Sequence, residues 1–179
     1  MKNILLITEP RTGSSSLMKS IASAYGFDYQ FEPDKKDKLK VKNNTVVKII
    51  VDVSRGKEYY LDLIKQFSQT IFLSRRNIIE QSEAFWALFF INDGGYAEKW
   101  NENELPENLR QRKDYKNRYK RLVEKKLFLL DLSLYTSIPI NYYEDVFKSK
   151  ELKEKNIKLD LEYFKPQYKL RVKTHRTLL

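Results

Sequence analysis

Two stretches of this 179-residue chain repeat one pattern: an uninterrupted apolar run, a polar turn, then the start of a helix. The first is Ile4-Leu5-Leu6-Ile7, followed by Thr8-Glu9-Pro10-Arg11-Thr12-Gly13 and three serines. The second is Thr70-Ile71-Phe72-Leu73, followed by Ser74-Arg75-Arg76-Asn77. An apolar run without alternation reads as a strand buried on both faces, which occurs where a parallel sheet is covered by helices on each side. The pattern predicts an α/β protein: a parallel sheet of about four to five strands, flanked by helices and joined by right-handed crossovers.

The rest of the chain supplies the other elements. Leu17, Met18, Ile21, Ala22 and Tyr25 form the apolar face of a helix begun in Ser14-Ser15-Ser16 and stopped by Gly26. Phe27–Phe31 reads as a short strand, and Asp34–Asn44 as a Lys-rich loop. Thr45–Val51 is another buried strand. Tyr60, Leu63, Ile64 and Phe67 fall at helical spacing. Ile79, Ser82, Trp86, Phe89 and Phe90 are predicted on one face of a helix broken at Asp93-Gly94-Gly95. A long helix is expected from about Glu107, started by Pro106, to Leu132. Ile138–Tyr142 reads as a further strand, and Tyr143-Glu144-Asp145 opens a short helix. No repeat or linker divides the chain, so a single domain over residues 1–179 is expected, its helical segment at about 77–132 inserted between strands.

Composition narrows the chemistry. Without cysteine, disulfides, Cys zinc sites and Cys catalysis are excluded. The single histidine, His175, argues against a Ser-His-Asp triad and a His-rich metal site, and its basic surroundings read as a solvated tail. Lys and Arg outnumber Asp and Glu 34 to 24, a formal charge of +10 that favours an anionic partner. No run reaches the roughly 18 apolar residues of a membrane span, and the opening run is too short for a signal segment. A cytoplasmic protein is the expectation.

The first turn has the physics of an anion site. Gly13 lets backbone N–H groups approach a ligand, the helix start adds free N–H donors and a positive dipole end, Ser14, Ser15 and Ser16 add hydroxyls, and Arg11 adds a forked cation. It is not a Walker A loop, which needs two glycines and a lysine. An ordinary capped βα turn is the plainer reading of the same residues.

Pro10-Arg11-Thr12-Gly13-Ser14-Ser15 resembles the 5′-phosphosulfate loop of sulfotransferases that use PAPS (3′-phosphoadenosine 5′-phosphosulfate). The segment from Thr70 through Arg75-Arg76-Asn77 to Ser82 resembles that family's 3′-phosphate motif. Ile138–Val146, with Tyr143-Glu144-Asp145, is similar to its late strand followed by Tyr-Glu-Asp. The three appear in family order over residues 4–146, and the resemblance implies a P-loop-like parallel sheet flanked by helices. The resemblance implies that PAPS lies with its 5′ end on Arg11, Thr12, Gly13, Ser14, Ser15 and Ser16 and its 3′-phosphate at Arg75 and Arg76. The family's motif serine falls at Ala84; Ser82, the nearest hydroxyl and the candidate to bind the cofactor in its stead, lies about 200° away round the helix. No metal is required, and PAP (3′,5′-adenosine bisphosphate) is the product.

Sulfuryl transfer needs a base for the acceptor and cations around the moving group. The base histidine of the cytosolic branch falls at Ile50. Other branches carry a carboxylate, which makes Glu32 the first candidate, with Glu9 and Asp52 in reserve and Lys48 set to stabilise the bridging oxygen. A solvated Glu32 and a snorkelling Lys48 are the plainer readings.

Between Arg110 and Lys126, nine basic side chains face two acidic ones. A solvated helix face accounts for them; a docking face for an anionic acceptor or nucleic acid is the alternative. Phe85, Trp86, Phe89, Phe90 and Trp100 are core residues or the lining of an acceptor cleft. The leading expectation is a PAPS-dependent sulfotransferase acting on a hydroxyl or amine of a small-molecule or glycan acceptor, with nucleic acid disfavoured as partner and a homodimer possible. The rivals are another P-loop-like nucleotide enzyme, a catalytically degenerate relative, and a basic module binding nucleic acid or anionic glycan.

Overall fold

A computed structural model describes residues 2–33, 39, 41–90 and 105–147, of which 88–90 by backbone only. Five strands, β1 (Asn3–Thr8), β2 (Asp28–Phe31), β3 (Thr45–Ile50), β4 (Gln69–Ser74) and β5 (Ile140–Tyr142), form one sheet in the order β2-β3-β1-β4-β5. Every pairing is parallel, with Leu6 of β1 opposite both Lys48 of β3 and Ile71 of β4. The fold is α/β, as the two apolar runs predict, and its covered parallel sheet is P-loop-like, as the resemblance implies.

Successive residues of a strand face opposite sides, and here both sides are covered. Ile4, Leu6, Val46, Ile71 and Leu73 pack with Leu17, Met18 and Ile21 of α1 (Ser14–Tyr25) and Val146 of α5 (Tyr143–Val146). Leu5, Ile7, Val47, Ile49 and Phe72 pack with Tyr60 and Leu63 of α2 (Gly56–Ile64) and with Leu129 and Leu132 of α4 (Lys113–Thr136). A third cluster joins Trp86 and Ala87 of α3 (Ile78–Phe90) to Leu109 and Tyr115.

Several boundaries differ from the sequence reading. Pro106 does not start the long helix: its carbonyl accepts from Leu109 N–H at 2.9 Å, and Leu109–Gln111 form a 3₁₀ turn. Leu109 is drawn into the Trp86–Tyr115 cluster, and extended Arg112 separates that turn from α4. At the other end α4 continues past Leu132 to Thr136, stopped by Ser137 in the left-handed region and by Pro139 just beyond. α2 ends before Phe67, which is buried nonetheless. Ile79, predicted inward, is exposed. Residues 34–38 and 40 of the expected Lys-rich loop, the break at Asp93-Gly94-Gly95, Trp100, the side chains of Phe89 and Phe90, and the tail with His175 lie outside the described residues or side chains.

All five strands end on one edge. From β1 the chain leaves through α1 towards β2; from β4 it leaves through α3 and α4 towards β5. β1 and β4 are neighbours whose connections depart in opposite directions, the switch point at which open α/β sheets form their binding crevice. The two strand-turn-helix motifs therefore stand side by side.

Candidate anion-binding site

The turn after β1 is braced from within. The buried Thr8 hydroxyl donates to Leu73 O at 2.9 Å and pairs with the Thr12 hydroxyl, which lies 3.2 Å from Glu9 O. Thr12, expected to contact the cofactor, turns its side chain into the loop. Arg11 (φ 61°) and Gly13 (φ 73°) adopt left-handed conformations. No side chain caps the start of α1, and its first turn carries no acid, so among the described residues no side-chain acceptor is recorded for the N–H groups there. Ser14 is buried, Ser15 half-buried and Ser16 exposed at this end.

Arg11 is the notable cation. It is half-buried, and among the described residues none accepts a hydrogen bond from its guanidinium or forms an ion pair with it. Burial first, and the nearby Arg75 charge second, push its pKa down. Both effects would be relieved by an anion.

Lys48 and Glu32 converge on the same loop, although they come from different strand ends. Lys48 Nζ donates to Ser15 Oγ at 3.1 Å, stands 3.8 Å from Glu32 Oε1 and sits over the Phe31 ring at 5.0 Å. Glu32 is fixed by its own N–H, which bonds Lys48 O at 2.8 Å, and by a left-handed φ of 41°. The two residues expected to carry transfer chemistry are thus adjacent to each other, and Lys48 touches one serine at the start of α1. Asp52, a reserve base, instead accepts from Ser54 N and Oγ at 3.2 and 2.8 Å; chiefly that hydroxyl bond lowers its pKa.

The turn after β4 is occupied by the chain's own carboxylates. Arg76 makes a two-pronged pair with Asp145, both contacts 2.6 Å. Its N–H lies 3.0 Å from each oxygen of Glu144, and Asn77 N–H lies 3.3 Å from Oε1. Arg75 pairs with Glu80, and its buried Nε has no hydrogen-bond partner among the described residues, with Glu144 Oε1 3.8 Å away. Ser82 does not face this turn: fully buried, it donates to Ile79 O at 2.8 Å and pairs with Tyr115 Oη at 2.6 Å.

Between the two turns lies a buried polar cluster. Glu9, 1% exposed, accepts from Ser74 Oγ at 3.0 Å. Gln81 Nε2 donates to Pro10 O at 2.8 Å. Lys126 reaches in from α4 to Ser74 Oγ at 2.9 Å and to Arg75 O. Desolvation raises the Glu9 pKa and lowers that of Lys126, each opposed by the other's charge. Gln81 and Lys126 carry no local signal in the sequence, since Lys126 meets Ser74 across 52 positions. Beside the end of β3, a cleft of about 320 Å³ is lined by residues including Ile50, Val51, Asp52, Arg121 and Glu124.

Compared with protein-family models, characterised proteins and solved structures, the chain matches none of them. Fold and site define an α/β protein with two cation-bearing βα turns at a switch point. Among the described residues no helix is long and apolar enough to cross a membrane.

Proposed function

We propose that this chain is a PAPS-dependent sulfotransferase. The observation that carries the reading is Arg11: a half-buried cation with no described partner, beside an uncapped helix start and facing a second arginine turn. Such a place suits a phosphate or sulfate oxygen. Lys48 and Ser15 beside it suit the phosphate–sulfuryl bridge. In this reading the acceptor oxygen or nitrogen forms its bond to sulfur in line as the bond from sulfur to the 5′-phosphate oxygen breaks. Glu32 takes the acceptor proton, Lys48 offsets the charge growing on the leaving oxygen, and PAP departs. Arg75 and Arg76 would receive the 3′-phosphate, in exchange for the carboxylates they now hold. The acceptor is a small molecule or glycan, the compartment is cytoplasmic, and a second copy of the chain is a candidate partner.

The test is calorimetric titration with PAP and 5′-AMP. Micromolar PAP binding that weakens at least tenfold in Arg11→Ala and in Arg75→Ala/Arg76→Ala supports the assignment. PAP affinity indifferent to both variants would sink it.

A second reading rests on α4. Lys113, Lys116 and Lys120 are exposed on its outer side and, among the described residues, have no hydrogen-bond or ion-pair partner. A polyanion-binding module would use this face. It predicts steeply salt-dependent binding of heparin or RNA that is insensitive to Arg11→Ala.

A further inference from the structure

Three consecutive residues of α5 touch both turns of the site. The Tyr143 ring lies against Gly13, whose added Cβ would stand 2.6 Å from Tyr143 Cε2, and it lies under the Arg75 guanidinium at 5.0 Å. Glu144 accepts the N–H groups of Arg76 and Asn77 at the start of α3. Asp145 holds the Arg76 fork. A carboxylate receiving converging backbone N–H groups beside two guanidiniums stands where one end of a phosphoryl group would be received.

We propose that Glu144 is an internal competitor for this turn: it occupies the place of a ligand's phosphoryl group after β4, and binding there must displace it. The inference rests on the nucleotide reading above and names what holds that site until it is filled. A tethered carboxylate competes at an effective concentration on the order of millimolar or more. A phosphomonoester answers with a charge of about −1.5 to −2 and three acceptor oxygens. A nucleotide lacking the 3′-phosphate has nothing to exchange for Glu144 and leaves α5 in place. When Glu144 and Asp145 are displaced, the segment carrying Tyr143 is released from Gly13 as well. Filling the second turn therefore changes the cover of the first.

The experiment titrates PAP and 5′-AMP into the wild-type chain, Glu144→Gln and Asp145→Asn, with amide exchange followed over residues 143–147. Glutamine keeps one acceptor oxygen for the Arg76 N–H, and Asp145→Asn is the second variant should Glu144→Gln be poorly folded. The expected result is PAP affinity raised about tenfold in either variant, the scale of one charge-assisted hydrogen bond no longer lost, with 5′-AMP affinity unchanged. PAP, but not 5′-AMP, should speed exchange over 143–147 in the wild type. Wild-type PAP binding with no gain in either variant, or with exchange over 143–147 unchanged or slowed, overturns the inference and leaves the nucleotide reading standing. Absence of binding by either nucleotide to the wild type overturns the reading itself.

Discussion

The Tyr143 ring occupies the space a side chain on Gly13 would need: a Cβ there would lie 2.6 Å from Cε2 and 2.7 Å from Cδ2 of the ring. Glycine is required at this position twice over, by its φ of 73° and by this close approach. Gly13→Ala is expected to destabilise the fold by about 1–3 kcal/mol, the scale of overpacking. Adding Tyr143→Ala should remove the steric part and leave the left-handed backbone cost of about 1–2 kcal/mol. A double-mutant cycle by urea unfolding checks this, and strictly additive effects would contradict the contact.

Glu32, just past β2, lies 3.8 Å from the Lys48 ammonium of β3, which meets Ser15 across 33 positions of sequence. Under the sulfotransferase reading, Glu32→Gln should slow PAPS turnover about 100- to 10,000-fold, the usual range for a lost general base. PAP affinity should stay within about twofold. The readout is PAP release from PAPS with water as the acceptor; an unchanged rate would remove Glu32 from the chemistry.

The Ser82 hydroxyl faces Tyr115 at 2.6 Å, inside the α3–α4 contact. Ser82→Ala leaves the Tyr115 hydroxyl without this partner and should cost about 1–3 kcal/mol of stability. It should leave PAP binding unaltered. Loss of PAP affinity without loss of stability would mean that this hydroxyl does serve the nucleotide.

Asp114 accepts from the Arg112 side chain and from Trp86 Nε1 at 3.0 Å; those two bonds, Arg112 foremost, bring its pKa down from 3.8 to about 2. A folded pKa below the unfolded one means a contribution to stability that is complete above about pH 4 and is lost as pH falls through about 2. The Trp86 indole N–H resonance should titrate with a midpoint near 2, and Arg112→Gln should raise it. A midpoint near 4 in the wild type would show that the pairing does not hold in solution.

Much of the fold was legible because its causes are local. The apolar runs at Ile4–Ile7, Thr45–Val51 and Thr70–Leu73 can be buried on both faces only in a covered parallel sheet, and those strands form one. Gly26 stops α1 in the left-handed region with its N–H on Ala22 O, as a helix-ending glycine does. The start of α4 was misread because Pro106 satisfies a 3₁₀ turn as readily as a helix start, and Leu109's burial chose between them.

The sequence by itself determined which segments become strands, which turns carry cations and glycine, and that these turns open helices, since backbone preference and apolar periodicity act over a few residues. Only the tertiary structure decided which groups meet. Arg11 has no described partner while Arg76 is held by Asp145 across 69 positions. Thr12 and Ser82 spend their hydroxyls inside the protein. Glu9 is buried against Ser74 and within reach of the Lys126 charge. Charge and hydrogen-bond capacity are set residue by residue, but their partners depend on strand order, and strand order is fixed by burial summed over the whole sheet.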